Sequence, residues 1–503
     1  MQQLSGLDAS FLYFETANAP MHVGGLLIYD QSTAPGGAVR FKDILKFYEE
    51  RMHRARSFRQ KVVRVPLNLD HPYWVEDSDF DLEFHLRHIA LPKPGDWRQL
   101  CIQVARLNSR ALDHARPLWE AYVIEGLDNI PGLPKGSYAV LSKIHHAAID
   151  GVSGAEMSAA VHDLEPIVDT VKSDREWKGE REPTSVELIT RAHLNNLRKP
   201  FNLAKVMTQS VPALARVGAG LATRKLRPPR LPGQVPRTRF NGKVSPHRVF
   251  EGRRFDLAEI RAIKNSVENA TVNDVVLTIC GGALRKYLES KRELPDTSMV
   301  AMAPISVRSD DQRGHAGNQV SGMLVSLHTE IADPRARLIA VHDGTIHSKE
   351  LTNAVGARLM TDYTQFIPSS TAGLAARLYT RWGLANAITP MFNCVITNVP
   401  GPQVPLYSVG ARLVGHFGLG PILDGMGLIM PVFSYCGGIS ISITSCREMV
   451  PDPEFFAQCI QDSFDEVKRA TLGLADAPVA KAAAKRAPRK PVAAHMKKSD
   501  AAD

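Results

Sequence analysis

Residues 143 to 151, Lys-Ile-His-His-Ala-Ala-Ile-Asp-Gly, set an HHxxxDG signature at the point where a strand pattern gives way to a helix pattern. Upstream, Tyr138, Val140, Ser142, Ile144 and His146 alternate with Ala139, Leu141, Lys143 and His145, the period of two of an extended segment. The two histidines therefore face opposite sides. Downstream, Ser153 to Glu156 has the form of a capping box, and Val152, Ala155, Ala159 and Leu164 mark an expected buried stripe. The pattern predicts His146 at a rigid strand end, with Asp150 and Gly151 in the turn beside it.

An imidazole titrates close to neutral pH, so His146 is suited to take a proton from a hydroxyl as general base. Asp150 would hold the ring's orientation or tie the loop down through a cation. Gly151 allows a backbone conformation closed to residues with a Cβ, and His145 would support the site from the other face. A His-His pair also has a plainly structural reading. Metal chelation is not expected, since neighbours on a strand point apart and no His or Cys cluster has zinc spacing.

Elsewhere, Thr271-Val-Asn-Asp274 opens a predicted helix with Val275, Val276, Ile279 and Ala283 on one face. That makes Asp274 structural and leaves Asn273 either structural or in contact with substrate. Pro117 and Trp119 carry the same ambiguity, because a strand-entry proline and a buried tryptophan need no ligand. Residues 425 to 446 lack charge, but glycines and Pro431 punctuate them. Ile439, Ile441 and Ile443 alternate with Ser440, Ser442 and Thr444, predicting two strands joined around Cys436-Gly437-Gly438 and not a membrane span. Cys436 reads as core, and no Ser or Cys beside a base signals a covalent nucleophile.

The formal charge of +9 is unevenly spread, with a net of +5 in the stretch from residue 477 onward. Rich in Ala, Lys and Pro, that tail is expected to be disordered and either to solubilise or to adhere to anionic lipid. No nucleic-acid module accompanies the charge. Six scattered cysteines and the lack of a basic-then-apolar N-terminus point to the cytoplasm. Between residues 168 and 245, Leu203, Val206, Met207, Leu214, Val217 and Leu221 recur at helical spacing among Lys205, Arg216, Arg224 and Lys225. This basic segment reads as a bridge between two domains, with lipid contact as an alternative to packing on its own domain.

From its first residues to about residue 470, the chain resembles the bacterial wax ester synthase/diacylglycerol acyltransferase family. The resemblance rests on Leu4-Ser-Gly-Leu-Asp8-Ala-Ser-Phe11, Pro20-Met-His-Val-Gly24-Gly25, HHxxxDG, Pro117-Leu118-Trp119 and Asn273-Asp274. Pro304-Ile-Ser-Val-Arg308, Gly317-Asn318 and Asn398-Val-Pro-Gly401-Pro402 follow in the family's order. HHxxxDG alone would imply only the wider superfamily of chloramphenicol acetyltransferase, peptide-synthetase condensation domains and plant acyltransferases.

The resemblance implies an α/β (α+β) fold of two chloramphenicol-acetyltransferase-like domains, each a mixed sheet flanked by helices, with an active-site tunnel at their interface. The expected organisation is residues 1–167, a linker at 168–245, a second domain at 246–472 and a tail at 473–503. The implied reaction moves a long-chain acyl group from acyl-CoA to a fatty alcohol or diacylglycerol. His146 would be the base and Asp150 its partner, with Asn273, Thr397, Asn398 and Trp119 lining the substrate path and Arg308 pairing with Asp150. Acyl-CoA would be a substrate and no cofactor is expected. Peripheral association with the inner membrane or lipid inclusions is expected, and the oligomeric state is left open. A condensation-type enzyme using a carrier-protein thioester and a non-catalytic lipid-surface protein remain as alternatives.

Overall fold

The strand Gly438–Cys446 shows how this sequence builds its core, because both of its faces are buried. Ile439, Ile441 and Ile443 enter one apolar cluster, while Ser440 and Ser442 turn their hydroxyls to the carbonyls of His416 and Gly418 at 2.6 and 2.8 Å. The alternation read from the sequence thus separates an apolar face from a face that hydrogen-bonds to a second sheet. Cys436 and Gly437, both at positive φ, make the tight turn into this strand from Leu428–Tyr435. Cys436 is half-buried against a core cluster, as expected.

The computed structural model describes residues 1–149, 151–167, 179–223, 226, 234–306, 320–355, 374–375 and 378–473. Asp150, Arg308, Gly317, Asn318 and the tail from residue 474 lie outside them. The strands form two mixed six-stranded sheets and a small three-stranded one, the architecture expected. In the first large sheet the order is Tyr407–Ser408, Ala411–Leu419, His22–Asp30, Tyr138–His145, Trp119–Glu125 and Leu86–Ala90. All its pairs are antiparallel except the last. The second runs Val320–Ser326, Val300–Ser306, Cys394–Pro400, Leu428–Tyr435, Gly438–Cys446 and Arg248–Asp256. Its apolar side is covered by the helices Val272–Lys291, Pro334–Val355 and Pro453–Leu472.

The strand Ala411–Leu419 departs from the expected division at residue 246, since it follows strands of the second sheet in sequence yet pairs with His22–Asp30 in the first. It is held there by that ladder and, across the sheet interface, by the two serine hydroxyls. Close approach of the layers requires glycine: a Cβ on Gly418 would stand 2.8 Å from Pro431, and one on Gly252 2.8 Å from Phe417. Phe250 of the second sheet packs in the same cluster as Leu26, Phe417 and Leu419 of the first.

The expected bridge is one helix of 38 residues, Ser185–Ala222, starting well before Leu203. Thr184 and Glu187 form its capping box, a start signal at the head of the segment. Leu188 and Ala192 bury against Tyr73, in the strand Tyr73–Glu76 of the small sheet, and against Val65, just past its strand Gln60–Val63, and the helix continues to the helix Pro334–Val355. The two prolines inside it, Pro200 and Pro212, each remove one backbone donor without ending it.

Candidate active site

The strand carrying the signature ends at His145, and His146 to Ala148 form a single 3-10 turn before the helix Gly151–Ala160. Two backbone bonds anchor the turn: the His145 N–H donates to Leu118 O at 2.9 Å, and the His146 N–H to Met21 O at 2.8 Å. The helix begins at Gly151, two residues ahead of Ser153, so the expected Ser153–Glu156 box lies inside its first turns. Among its described side chains Met157 and Ala160 are buried, whereas Ala155, Ala159 and, beyond the helix, Leu164 are exposed; Val152 lies outside the described side chains. The predicted stripe was displaced because the helix lies over Met52 and Phe58 on its other edge.

The histidines do face different surroundings. His145 is fully buried, and its Nδ1 accepts the Ala147 N–H at 3.0 Å, which caps the turn. Its Nε2 points to Glu15 Oε2 at 3.5 Å, and the same oxygen takes the His114 Nε2–H at 2.6 Å. Arg64 donates to His114 Nδ1 at 3.2 Å, and the Met21 N–H donates to Glu15 Oε1 at 3.1 Å. Burial alone would raise the Glu15 carboxyl, but the two imidazoles outweigh it and hold Glu15 well below the usual carboxylate range. Burial lowers His145 against the opposing pull of Glu15.

Glu15, His114 and His145 bring their ligand atoms within 4.8 Å of one another, a grouping that sequence spacing did not reveal. Both imidazoles accept N–H donors at Nδ1, so both carry their proton on Nε2, where a metal would need the lone pair. His114 bonds to Glu15 and His145 Nε2 faces the same oxygen at 3.5 Å, while the Ala147 N–H at Nδ1 fixes the tautomer of His145 and ties it to the turn that carries His146.

The His146 ring lies on Phe11, with centroids 3.8 Å apart and planes 14° from parallel. Phe11 belongs to the helix Gly6–Phe14, which Ser5 opens by accepting the Asp8 N–H at 3.1 Å, so the Leu4 to Phe11 motif is a helix start that delivers a ring. Nδ1 of His146 is sealed from solvent and has no hydrogen-bond partner, which leaves Nε2 as its working nitrogen. Burial, with repulsion from His145, lowers His146 to about 4, so the ring is neutral at pH 7.

Trp119 is buried, donates its indole N–H to Phe58 O at 2.8 Å and stacks on His85. It sits in the core, with its indole N–H already used, while its neighbour Leu118 packs beneath Ala147. Asp274 is structural as expected, accepting from Thr271, from Thr345 at 2.7 Å and bonding His342 at 3.0 Å. Asn398 donates to Asn273 of the helix Val272–Lys291 at 3.3 Å, joining two expected lining residues, with half-buried Thr397 next to Asn398 on the strand Cys394–Pro400. Among the described residues no hydrogen bond or ring contact links this pair to His146. Gly401 follows because a Cβ there would come within 2.3 Å of Ser434 O.

A cavity of about 680 Å³ opens beside the turn that follows His146, lined by Leu4, Trp74, Ala147, Ala148 and, from the long helix, Asn195 and Lys199. It lies between the turn and the helix Ser185–Ala222, and no described residue of the second large sheet lines it, whereas the resemblance implies a tunnel between the two domains. Lys199 and Asn195 both reach Asp70 in its wall, at 3.0 and 2.8 Å.

Residues 4–276 match the wax ester synthase/diacylglycerol acyltransferase catalytic domain, and residues 316–468 match the C-terminal domain of the same family. A putative diacylglycerol O-acyltransferase of Mycobacterium tuberculosis is 35% identical over 95% of this chain and 91% of its own length. An O-acyltransferase of Acinetobacter baylyi is 32% identical over 90% of this chain and 93% of its own. The solved wax ester synthase/diacylglycerol acyltransferase of Marinobacter aquaeolei superposes with a TM-score of 0.65 at 27% identity, covering 94% of this chain and all of that one. The starter condensation domain of rhizomide synthetase shares the fold alone, with a TM-score of 0.50 at 11% identity over 93% of this chain and 95% of that one.

Proposed function

The chain belongs to the wax ester synthase/diacylglycerol acyltransferase family and is an acyltransferase, and on that premise we propose that it esterifies a lipid hydroxyl with a long-chain acyl group from acyl-CoA, with His146 as general base. The acceptor is diacylglycerol or a fatty alcohol, and the reaction takes place in peripheral association with the inner membrane or lipid inclusions. The observation that carries the base assignment is the state of the His146 ring: held flat by Phe11, closed at Nδ1 and neutral at pH 7.

In the proposed step Nε2 removes the acceptor's hydroxyl proton as that oxygen attacks the thioester carbon. The tetrahedral oxyanion then collapses, the C–S bond breaks, and the imidazolium returns the proton to the CoA sulfur. No acyl-enzyme forms and the reading calls for no cofactor. First-turn amides of the helix Gly151–Ala160 and the side chains of Asn273 and Thr397 are the proposed oxyanion donors, each worth about 3 kcal/mol in sites of this kind. Asp150, outside the described residues, is kept in this reading as the partner of His146, and Gly151 opens the helix that carries those amides. Holding both substrates beside one imidazole supplies much of the remaining acceleration.

The test is release of CoA thiol from palmitoyl-CoA offered with a long-chain alcohol, diacylglycerol or neither. Acceptor-dependent release lost in His146→Ala is expected. A wild-type enzyme silent with every free acyl-CoA, and active only with a carrier-protein thioester, would sink the proposal.

A further inference from the structure

The helix Ser185–Ala222 buries one stripe and leaves a second, opposite one in solvent. At 100° per residue, Val186, Leu194, Leu197, Phe201, Met207 and Val211 fall within an arc of about 140°. Phe201, Val186 and Leu197 are 78, 73 and 71% exposed. Exposed Ala204, Ala215, Ala219 and Ala222 extend the same arc toward the C-terminus, and no Asp, Glu, Lys or Arg interrupts it between residues 186 and 222. From Val186 to Val211 the stripe runs roughly 37 Å at 1.5 Å per residue.

Single exposed apolar residues are ordinary, whereas a long uncharged stripe on one helix is not. The charges of this helix are sorted to its sides. Arg191, Arg198, Lys205 and Arg216 stand exposed along one flank, within about 40° of one another on the same wheel, and none makes an ion pair among the described residues. The only acid on the helix is Glu187, in its first turn. A second copy presenting this face would bring no acidic row to meet the cations. An apolar stripe edged by cations matches the boundary between acyl chains and anionic headgroups.

We propose that the outer face of the helix Ser185–Ala222 is the surface by which this protein lies on an anionic lipid layer. The inference rests on the acceptor being a lipid, and it names the surface that such an acceptor leaves. Asn195 and Lys199, on the inward side of the same helix, line the cavity at Ala147 and Ala148. One element therefore faces the lipid outward and the catalytic turn inward, and a lipid hydroxyl passing around it needs no excursion through water.

The experiment uses the full chain and sedimentation with vesicles of phosphatidylcholine, alone or mixed with phosphatidylserine. Leu197→Ser with Phe201→Ser removes the centre of the stripe, and Arg191→Gln, Lys205→Gln and Arg216→Gln together remove three cations. The serine pair is expected to bind both vesicle types roughly tenfold or more weakly, and the glutamine triple to lose only the preference for phosphatidylserine. Turnover of a soluble short-chain alcohol should be unchanged in the serine pair, which shows that the fold survives. Equal sedimentation of the serine pair and wild type would overturn the proposal. So would a wild-type dimer in sedimentation velocity that the serine pair converts to monomer. Absence of soluble-alcohol turnover in wild type would instead count against the acyltransferase step and leave the vesicle result to decide the surface.

Discussion

Phe11 and His146, 135 positions apart in the chain, stack with their planes 14° from parallel. The phenyl ring closes one face of the imidazole and, with the backbone bond from His146 to Met21, holds the ring in one direction. Phe11→Ala should leave a folded enzyme whose kcat falls by about tenfold to a hundredfold through lost orientation, with a smaller change in KM. Opening that face also relieves the burial that depresses His146, so the acidic limb of the rate profile should move upward in pH. An unchanged profile together with an unchanged kcat would remove Phe11 from the site.

His146→Ala is expected to lower turnover by about a hundredfold to ten-thousandfold, the usual contribution of a general base, with little change in melting temperature. His145→Ala should do the reverse in part. It leaves Glu15 buried without one partner and the Ala147 N–H without its acceptor, a loss of roughly 2 to 4 kcal/mol. Paired rate and unfolding measurements separate the two. A folded His146→Ala enzyme of near wild-type rate would reject the assignment.

The opposite facing of the two histidines was legible because a strand alternates its side chains, and the Thr271–Asp274 cap because capping is local chemistry. The partner of His145 was not. Glu15 and His114 lie far from the signature in sequence, on a loop after the first helix and on another before Pro117, and only the fold brings them to one imidazole. Trp119 shows the limit of a motif, which marks a residue without its surroundings: the sequence left it between core and substrate contact, and its indole N–H is used by Phe58 O in the core. The strand Ala411–Leu419 could not be placed by pattern either, since alternation predicts a strand and not which sheet it joins. An internal proline disfavours a helix, yet the helix Ser185–Ala222 runs through both Pro200 and Pro212, with Leu188 and Ala192 packed on its inner side.

Several buried imidazoles make stability fall on the acid side. Burial lowers His22 to about 3 and both His146 and His416 to about 4, each from an unfolded value near 6.5. Below pH 6.5 the unfolded chain takes up protons that the folded one refuses. Stability is therefore complete above about pH 6.5 and declines as pH drops toward 4, by on the order of several kcal/mol in total. Urea unfolding at pH 7.5, 5.5 and 4.5 should show the midpoint falling stepwise. A midpoint independent of pH across that range would contradict the buried neutral histidines.

Adjacent residues Asn273 and Asp274 should respond differently to substitution. Asp274 is fully buried and holds Thr271, His342 and Thr345 together at the head of the helix Val272–Lys291. Asp274→Asn replaces a charge with an amide that cannot accept all of those donors, and should cost about 2 to 4 kcal/mol of stability while turnover per folded molecule is preserved. Asn273 is half-buried, and among the described residues its side chain holds only the long contact to Asn398. Asn273→Ala should cost less than about 1 kcal/mol; as an oxyanion donor, it should instead lower kcat by about a hundredfold. Denaturation curves and steady-state kinetics on both variants decide between them, and a kcat unchanged in Asn273→Ala would return that residue to a purely structural role.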